Sequence, residues 1–366
     1  MRIKKIICLA LCLVMMGFAL VGCEDLDIGH YLPGYDYVPP TPDKVEYNLY
    51  IIGEAETTEN AKITVQRAIN QYIDDKYDTK LNIFYCDAAT YADTVAAATA
   101  DGATDKAHIV LINSSELMET LMSENKLVNV LPYITEAQYK EDGFGTLNVS
   151  IDDDLLDAAK VEVDGVEKLF CIPNNHVIGE YSYVAINKQI ARFYNISDDR
   201  LAETDTAAEA DALWAEIEPD KALYTETLTK DMFVTTVTGD YASRNTLLAD
   251  GWYVNVETYP TVDADEVYST AFAIVAGTEK PERAMEMIYA INTDAKLRNL
   301  LQYGEENKNY TIRDGVVVPV SSGNSVYRMN ILYTGDVFMA YYCELYGWNA
   351  EKMAHGILQN EDSVLP

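Results

Sequence analysis

The side chains in this sequence best suited to chemistry are aromatic rings next to polar groups, and that chemistry is recognition. The chain holds 27 Tyr and 3 Trp against 8 Phe. A tyrosine or tryptophan ring offers an apolar face and a polar tip, so it can stack on a sugar ring while nearby amides and carboxylates take the hydroxyls. Trp252 and Tyr253 follow Gly251, and Tyr346 and Trp348 stand near the C-terminus. Asn174, Asn175 and Glu180 follow an apolar run, while Glu56, Asp87 with Tyr91, and Ser114 with Ser115 each follow a strand-like run. The ligand candidates are therefore Trp252, Tyr253, Asn175, Glu180, Ser114, Glu56, Asp87 and Trp348. Each has a plainer reading. An aromatic ring in a sheet protein often packs a core, Ser114 caps a helix equally well, and Asn175 can serve backbone groups. Arg283 is read as a partner for acids on its own helix.

Bond-breaking signatures are missing. There is no Gly-x-Ser-x-Gly, no Gly-Lys-Ser/Thr phosphate loop and no His-Glu-x-x-His. The histidines, His30, His108, His176 and His355, are too scattered for a zinc set. Asp152-Asp153-Asp154 lacks calcium-loop spacing and reads as a solvated acidic turn. Neither a metal nor a cofactor is expected.

The formal charge of −32 repels nucleic acid and anionic head groups and favours solubility, so no nucleic-acid partner is expected. Cys86, Cys171 and Cys343 each lie in an apolar or aromatic run and read as buried thiols; a disulfide framework is not available. With 366 residues the chain can build two domains of ordinary size, and a monomer is expected.

The chain opens with Arg2, Lys4 and Lys5, continues with the apolar run Ile6 to Val21, and reaches Leu20-Val21-Gly22-Cys23. A basic start, a short apolar core and a small residue before the cut mark an export leader, and the run is too short for a membrane span. The last four residues resemble the lipobox of bacterial lipoproteins. That resemblance implies an acylated Cys23 as the new N-terminus and a lipid-anchored protein on the extracellular face of the cell membrane. Residues 24–44, with Pro33, Pro39, Pro40 and Pro42, read as a semi-extended spacer.

Elements that could position the candidates follow. Strands are predicted at 45–52, 81–85 and 107–112, alternating with helices at 58–76, 88–100 and 116–124; this is the pattern of a parallel sheet covered by helices. Asp164-Gly165 between alternating segments predicts a hairpin over 161–171. Beyond it lie an alternating run at 181–186, a helix at 204–218, strands at 233–238 and 252–256, and one long helix over 281–302 opened by Pro281. Aromatic residues at 333–358 fall at helical spacing.

Several segments resemble the extracellular solute-binding proteins of bacterial ABC importers, the family 1 class of sugar and oligosaccharide binders, in its Gram-positive lipoprotein branch. They are Leu169 to Asn175 with Tyr183 to Lys188, Gly251-Trp252-Tyr253, Ala271 to Ile274, Lys280 to Glu286, and Leu300 to Glu305 with Tyr310-Thr311. The resemblance implies an α/β, two-lobed periplasmic-binding-protein-like fold of type II, with discontinuous lobes, hinge strands and a ligand cleft. The expected domains are a leader at 1–22, a lipidated spacer at 23–44, a first lobe at 45–174 plus 265–312, and a small second lobe at 175–264 plus 313–366. Crossings are expected near 172–180, 257–268 and 311–320. The implied function is capture of a polar solute, a sugar or oligosaccharide, for a permease. Two alternatives stay open: a lipid-anchored glycosidase, which needs facing carboxylates roughly 5–10 Å apart, and a carbohydrate-binding receptor that no longer transports, suggested by the short second lobe.

Overall fold

The computed structural model describes residues 44–134, 151 and 153–365. The leader, Cys23, the spacer and Asp152 lie outside the described residues. Strand β1 (Val45–Ile52) is followed by helix α1 (Glu59–Tyr77), β2 (Thr79–Cys86), α2 (Tyr91–Ala98), β3 (Ile109–Ile112) and α3 (Ser115–Ser123). Helix α1 starts where the Thr58 side chain accepts the Ala61 N–H, and it turns Ala61, Val65, Ile69 and Ile73 inward at intervals of four, one face of a helix. It ends at Asp78 in the left-handed region. Next come α4 (Asp153–Ala158), the hairpin β4 (Lys160–Val163) and β5 (Val166–Leu169), and the short β6 (Ile172–Pro173). The hairpin turns at Asp164 and Gly165, both with positive φ, as its sequence predicts.

The chain then leaves this body. It builds β7 (Tyr181–Asn187), α5 (Lys188–Phe193), α6 (Asp198–Ala202), α7 (Ala207–Ile217), α8 (Lys230–Phe233), β8 (Val234–Gly239), α9 (Tyr241–Ala249) and β9 (Trp252–Thr258). These strands form a separate antiparallel sheet in the order β8-β7-β9. Side chains alternate across β7: Val184 and Ile186 join Leu213, Trp214 and Phe233 on one face, while Tyr181, Tyr183 and Ala185 pack with Leu247, Leu248 and Trp252 on the other.

The chain returns through α10 (Ala264–Tyr268) to β10 (Ala271–Ile274), which completes a five-stranded sheet in the order β2-β1-β3-β10-β6. The sheet is mixed rather than wholly parallel, because β10 enters from the edge where β3 ends and runs antiparallel to it. Every residue of β3 and β10 is buried, as central strands covered on both faces require.

The single helix expected over 281–302 is two, α11 (Pro281–Thr293) and α12 (Ala295–Tyr303). Asp294 breaks it by accepting the Lys296 and Leu297 N–H groups. The same carboxylate accepts the Tyr72 hydroxyl at 2.8 Å, the Tyr77 hydroxyl at 2.9 Å and the Lys76 amine at 2.8 Å. Burial opposes its charge, but the bonds from Lys76, Tyr72 and Tyr77 outweigh burial and hold the carboxyl below its usual range. Arg283 pairs with Glu286 at 2.6 Å.

Residues 311–320 do not cross between lobes. They belong to a hairpin of β11 (Tyr310–Arg313) and β12 (Val316–Pro319), turned by Asp314 and Gly315 with φ of 52° and 80°. The helical spacing of aromatics at 333–358 also misleads. Short 3-10 turns occupy Ile331–Thr334, Val337–Met339 and Glu344–Tyr346, interrupted by positive-φ Gly335 and Gly347, and only α13 (Ala350–Glu361) is helical. Cys86, Cys171 and Cys343 are free thiols, the first half-buried and the others buried.

Candidate functional site

The strand ends define one edge. Strands β1, β2 and β3 run parallel and finish at Ile52, Cys86 and Ile112. Ala271 pairs with both Ile112 and Pro173, so β10 begins and β6 ends at that same edge. Open α/β sheets bind ligands beyond the carboxyl ends of their strands. Here the passages to and from the second sheet also leave from this edge, so the second lobe stands over it.

The first crossing, Asn174 to Glu180, leaves β6. The second, Tyr259 to Asp263, returns from β9. The third passage, to α13, follows Tyr346, since residues 331–346 stay on the first lobe: Arg298 Nε donates to the Asp336 carbonyl, Asn299 Nδ2 to the Met339 carbonyl and the Tyr303 hydroxyl to the Tyr341 carbonyl, and Asn174 Nδ2 and Thr270 Oγ1 both donate to the Leu332 carbonyl. Gly335, in this first-lobe segment, has φ of 98°, and a Cβ there would sit 2.3 Å from the Ile291 carbonyl oxygen, so only glycine passes α11 at this point. Gly179, with φ of 52°, lies against Pro260 of the second crossing. Helix α13 straps the first crossing: Ile178 N–H donates to Asn360 Oδ1 at 2.9 Å, Asn360 Nδ2 to the His176 carbonyl at 2.8 Å, and Gln359 Nε2 to the Ile178 carbonyl at 2.9 Å. Past α13, Val364 exchanges backbone bonds with Pro260 and Val262.

On the edge itself, Glu54 and Glu56 lie in the turn after β1, Asp87 follows β2, and Asn113 and Ser114 follow β3. Glu56 and Asp87 are exposed. Asp87 Oδ1 also accepts the Ala89 N–H at 2.8 Å, and Ser114 Oγ accepts the Leu117 N–H at 3.2 Å as the cap of α3. Ser115 Oγ donates to Asp265. Tyr333, from the 3-10 turn Ile331–Thr334, joins this row. Burial and the Glu54 carboxylate push its hydroxyl above the usual range, while its hydrogen bond with Asn113 acts the other way. A half-buried phenol, an amide and carboxylates on one open edge can recognise hydroxyls and a ring face without covalent chemistry.

The other candidates fall elsewhere. Asn175 is buried, with Nδ2 donating to Asp336 Oδ2 at 2.9 Å, which ties the first crossing to the segment packed on α12. Glu180 is exposed at the end of the first crossing. Trp252, expected near a crossing, starts β9 opposite Asn187, six residue steps from Thr258; at about 3.3 Å per step it stands roughly 20 Å from the crossing end of its strand. It is half-buried under α9, and Tyr253 faces the opposite side of the sheet, its ring 5.8 Å from the Lys188 amine. Trp348 is 4 % exposed and packs 6.0 Å from the Phe338 ring, which makes it core. A cavity of about 250 Å³ is lined by Val177, Asp240, Lys352, His355 and Gln359 among others, and includes no residue of the edge.

Tyr333, Asn113 and Glu54 were missed by the sequence reading, as was Tyr259, 48 % exposed in the second crossing with its ring 6.3 Å from that of Tyr181. Asn113 and Glu54 had a signal, since both stand within two residues of a strand end. Tyr333 had none, because its segment carries helical spacing. Among the described residues there is no cluster of His, Cys, Asp or Glu able to hold a metal ion, and no helix long and apolar enough to cross a membrane.

Two lobes around separate sheets, joined by two crossings at the carboxyl edge of the larger and a third passage into α13, constitute the fold of a two-lobed solute-binding protein. The chain matches the N-glycan transport solute binding protein of Streptococcus pneumoniae with a TM-score of 0.55 and 16 % identity, over 88 % of this chain and 84 % of that one. The same protein in complex with Man5GlcNAc gives 0.54 at 16 % identity over 87 % and 83 %, and in complex with Man1GlcNAc 0.52 at 16 % identity over 88 % and 84 %. Neither a protein-family model nor a curated protein sequence matches the chain.

Proposed function

We propose that this chain is the substrate-binding component of an ABC importer, which captures a sugar or oligosaccharide by lobe closure and delivers it to a membrane permease. The observation that carries the reading is the departure of the first crossing and the return of the second at the carboxyl edge, beside Glu54, Glu56, Asp87, Asn113, Ser114 and Tyr333. A solute on that edge gains contacts from the second lobe only when the lobes approach, so binding favours the closed form and the permease reads that form. The likeness in fold to a glycan-binding transport protein supports the solute class. The first lobe comprises residues 45–174 and the return from 265 through the hairpin at 310–319; the second comprises 180–258 with α13 against it. The edge residues bind, and no step of bond cleavage is assigned to them.

Acylation of Cys23 tethers the protein to the extracellular face of the cell membrane, with residues 24–44 as the spacer. Cys23→Ala is expected to release the protein into the medium.

A thermal-shift screen tests the solute class. A specific binder gains about 2.7 kcal/mol at a hundredfold excess of ligand over its Kd. Man5GlcNAc, smaller saccharides, peptides and amino acids form the panel. A shift confined to saccharides is expected, and a shift with peptides alone contradicts the solute class.

A further inference from the structure

The two edges of the five-stranded sheet are finished differently. One is β6, two residues long and ending in Pro173, too short to recruit another strand. The other is β2, eight residues long and carrying Ile83-Phe84-Tyr85, side chains that favour strands. An edge of that length presents a row of N–H and C=O groups on which another chain can pair.

The Val45 N–H donates to the Asp78 carbonyl at 3.3 Å and the Gly53 N–H to the Cys86 carbonyl at 3.0 Å, so even-numbered residues turn their peptide groups towards β1. Thr79, Leu81, Ile83 and Tyr85 therefore turn theirs outward. Helix α1 meets them with side-chain amides. Asn70 Oδ1 accepts the Leu81 N–H at 2.8 Å, while Asn70 Nδ2 donates to the Leu81 carbonyl at 2.9 Å. Such a double exchange with one residue is what an antiparallel neighbour supplies. Gln66 Oε1 accepts the Ile83 N–H at 2.8 Å. The spacings match: residues 66 and 70 are about 6 Å apart along the helix, and 81 and 83 about 6.6 Å apart along the strand. One turn earlier Lys62 takes the place of an amide, its amine 5.9 Å from the centre of the Tyr85 ring, and a cavity of about 400 Å³ opens there beside Ile63 and Tyr85. At the start of the strand Arg283 of α11 donates to the Tyr77 carbonyl and, at 3.3 Å, to Thr79 Oγ1.

We propose that Gln66 and Asn70 guard the open edge of the sheet, standing in for a neighbouring strand so that β2 of a second copy cannot pair there. The pairing they exclude is antiparallel, β2 against β2 across a two-fold axis. Strand β2 ends one residue before Asp87, so such a pairing would also crowd one end of the solute edge. The guard involves no solute and stands or falls apart from the binding reading.

Hydrogen exchange and sedimentation velocity test this. In the wild-type protein the Leu81 and Ile83 amides are expected to exchange more slowly than free peptide groups, by roughly tenfold or more. Gln66→Met with Asn70→Leu keeps shape and helix propensity but deletes both amides. This pair is expected to lose that protection when dilute and to form dimers as its concentration rises. Gln66→Lys with Asn70→Lys deletes the same bonds but places charge on the edge, and is expected to sediment as the wild type does. Association of both variants alike would trace to lost stability, and association of neither would mean that the edge needs no guard; either overturns the proposal. Wild-type Leu81 and Ile83 amides that exchange like free peptide groups overturn it even if no variant folds.

Discussion

The two sheets are built to different rules. In the first lobe, β3 and β10 are buried at every residue and sit within one continuous core that includes Leu49, Ile69, Leu111, Phe272 and Ile288. In the second, three antiparallel strands separate two small clusters; β8 is buried only at Val234 and Gly239, and β9 only at Val254. The first is a platform; the second is a thin cover whose packing is local. The asymmetry suits the proposed closure, in which one body holds the site while the other swings over it.

Paired truncations bring out the contrast most strongly. Phe272→Ala and Phe233→Ala each remove a ring buried to 1 % or less, and each is expected to cost about 3–5 kcal/mol. The consequences differ. Phe272→Ala is expected to lower the protection of all core amides in hydrogen exchange, whereas Phe233→Ala opens β7 to β9 and leaves β3 protected. Equal loss of protection in both lobes from Phe233→Ala contradicts the asymmetry.

Two glycines compare the first lobe with the second. Gly335→Ala drives a Cβ into the Ile291 carbonyl and is expected to cost about 2–4 kcal/mol. Gly251, in the turn before β9, has φ of 89° and nothing within 4 Å of an added Cβ, so Gly251→Ala is expected to cost only about 1 kcal/mol. Chemical denaturation reads both; an equal cost would mean that the chain at Gly335 is not tightly threaded past α11.

Asp336 gives a pH test of the first lobe. Its folded carboxyl titrates at about 6 and its ordinary value is 3.8, so the fold is not penalised below pH ~4 and loses stability as the pH rises towards 6. The loss is on the order of 3 kcal/mol. Asp336→Asn is expected to flatten denaturation midpoints across this window, and an unchanged slope would place the titrating group elsewhere.

The smallest effects separate edge from distal sheet. Tyr333→Phe removes one hydroxyl at the edge and is expected to weaken saccharide binding by about 1 kcal/mol, or roughly fivefold, with little change in Tm. Trp252→Ala is expected to do the reverse, lowering Tm because the ring packs under α9. Titration calorimetry beside melting curves distinguishes them.

The platform was the legible part. Apolar runs at 45–52 and 107–112 announce central strands, Asp164-Gly165 announces a hairpin, and Ser114 caps the helix it precedes. These features depend on neighbours in sequence. The breaks depend on distant partners. Asp294 ends a helix that periodicity alone would continue, and its partners Tyr72, Lys76 and Tyr77 stand more than 200 residues away. The turns at 331–346 were not legible because the threading of Gly335 past Ile291 is invisible to local pattern. The site was half legible for the same reason. Residues just past parallel strands, Glu56, Asp87 and Ser114, follow from strand order, whereas Tyr333 arrives from a segment whose spacing points to a helix and whose position is set by Asn113 and Leu332. Trp252 and Trp348 show the converse, since ring chemistry alone does not distinguish a cleft from a core.

Lobe closure on a solute is tested most directly by pulsed dipolar EPR. Spin labels go at Asp75→Cys in α1 and Glu226→Cys in the second lobe, both exposed positions, in a Cys86→Ser background. The distance between them is read at fixed pH, with and without a saturating saccharide from the screen. The account predicts a shorter and narrower interlobe distance with saccharide bound. Saturation binding that leaves the distribution unchanged would contradict it.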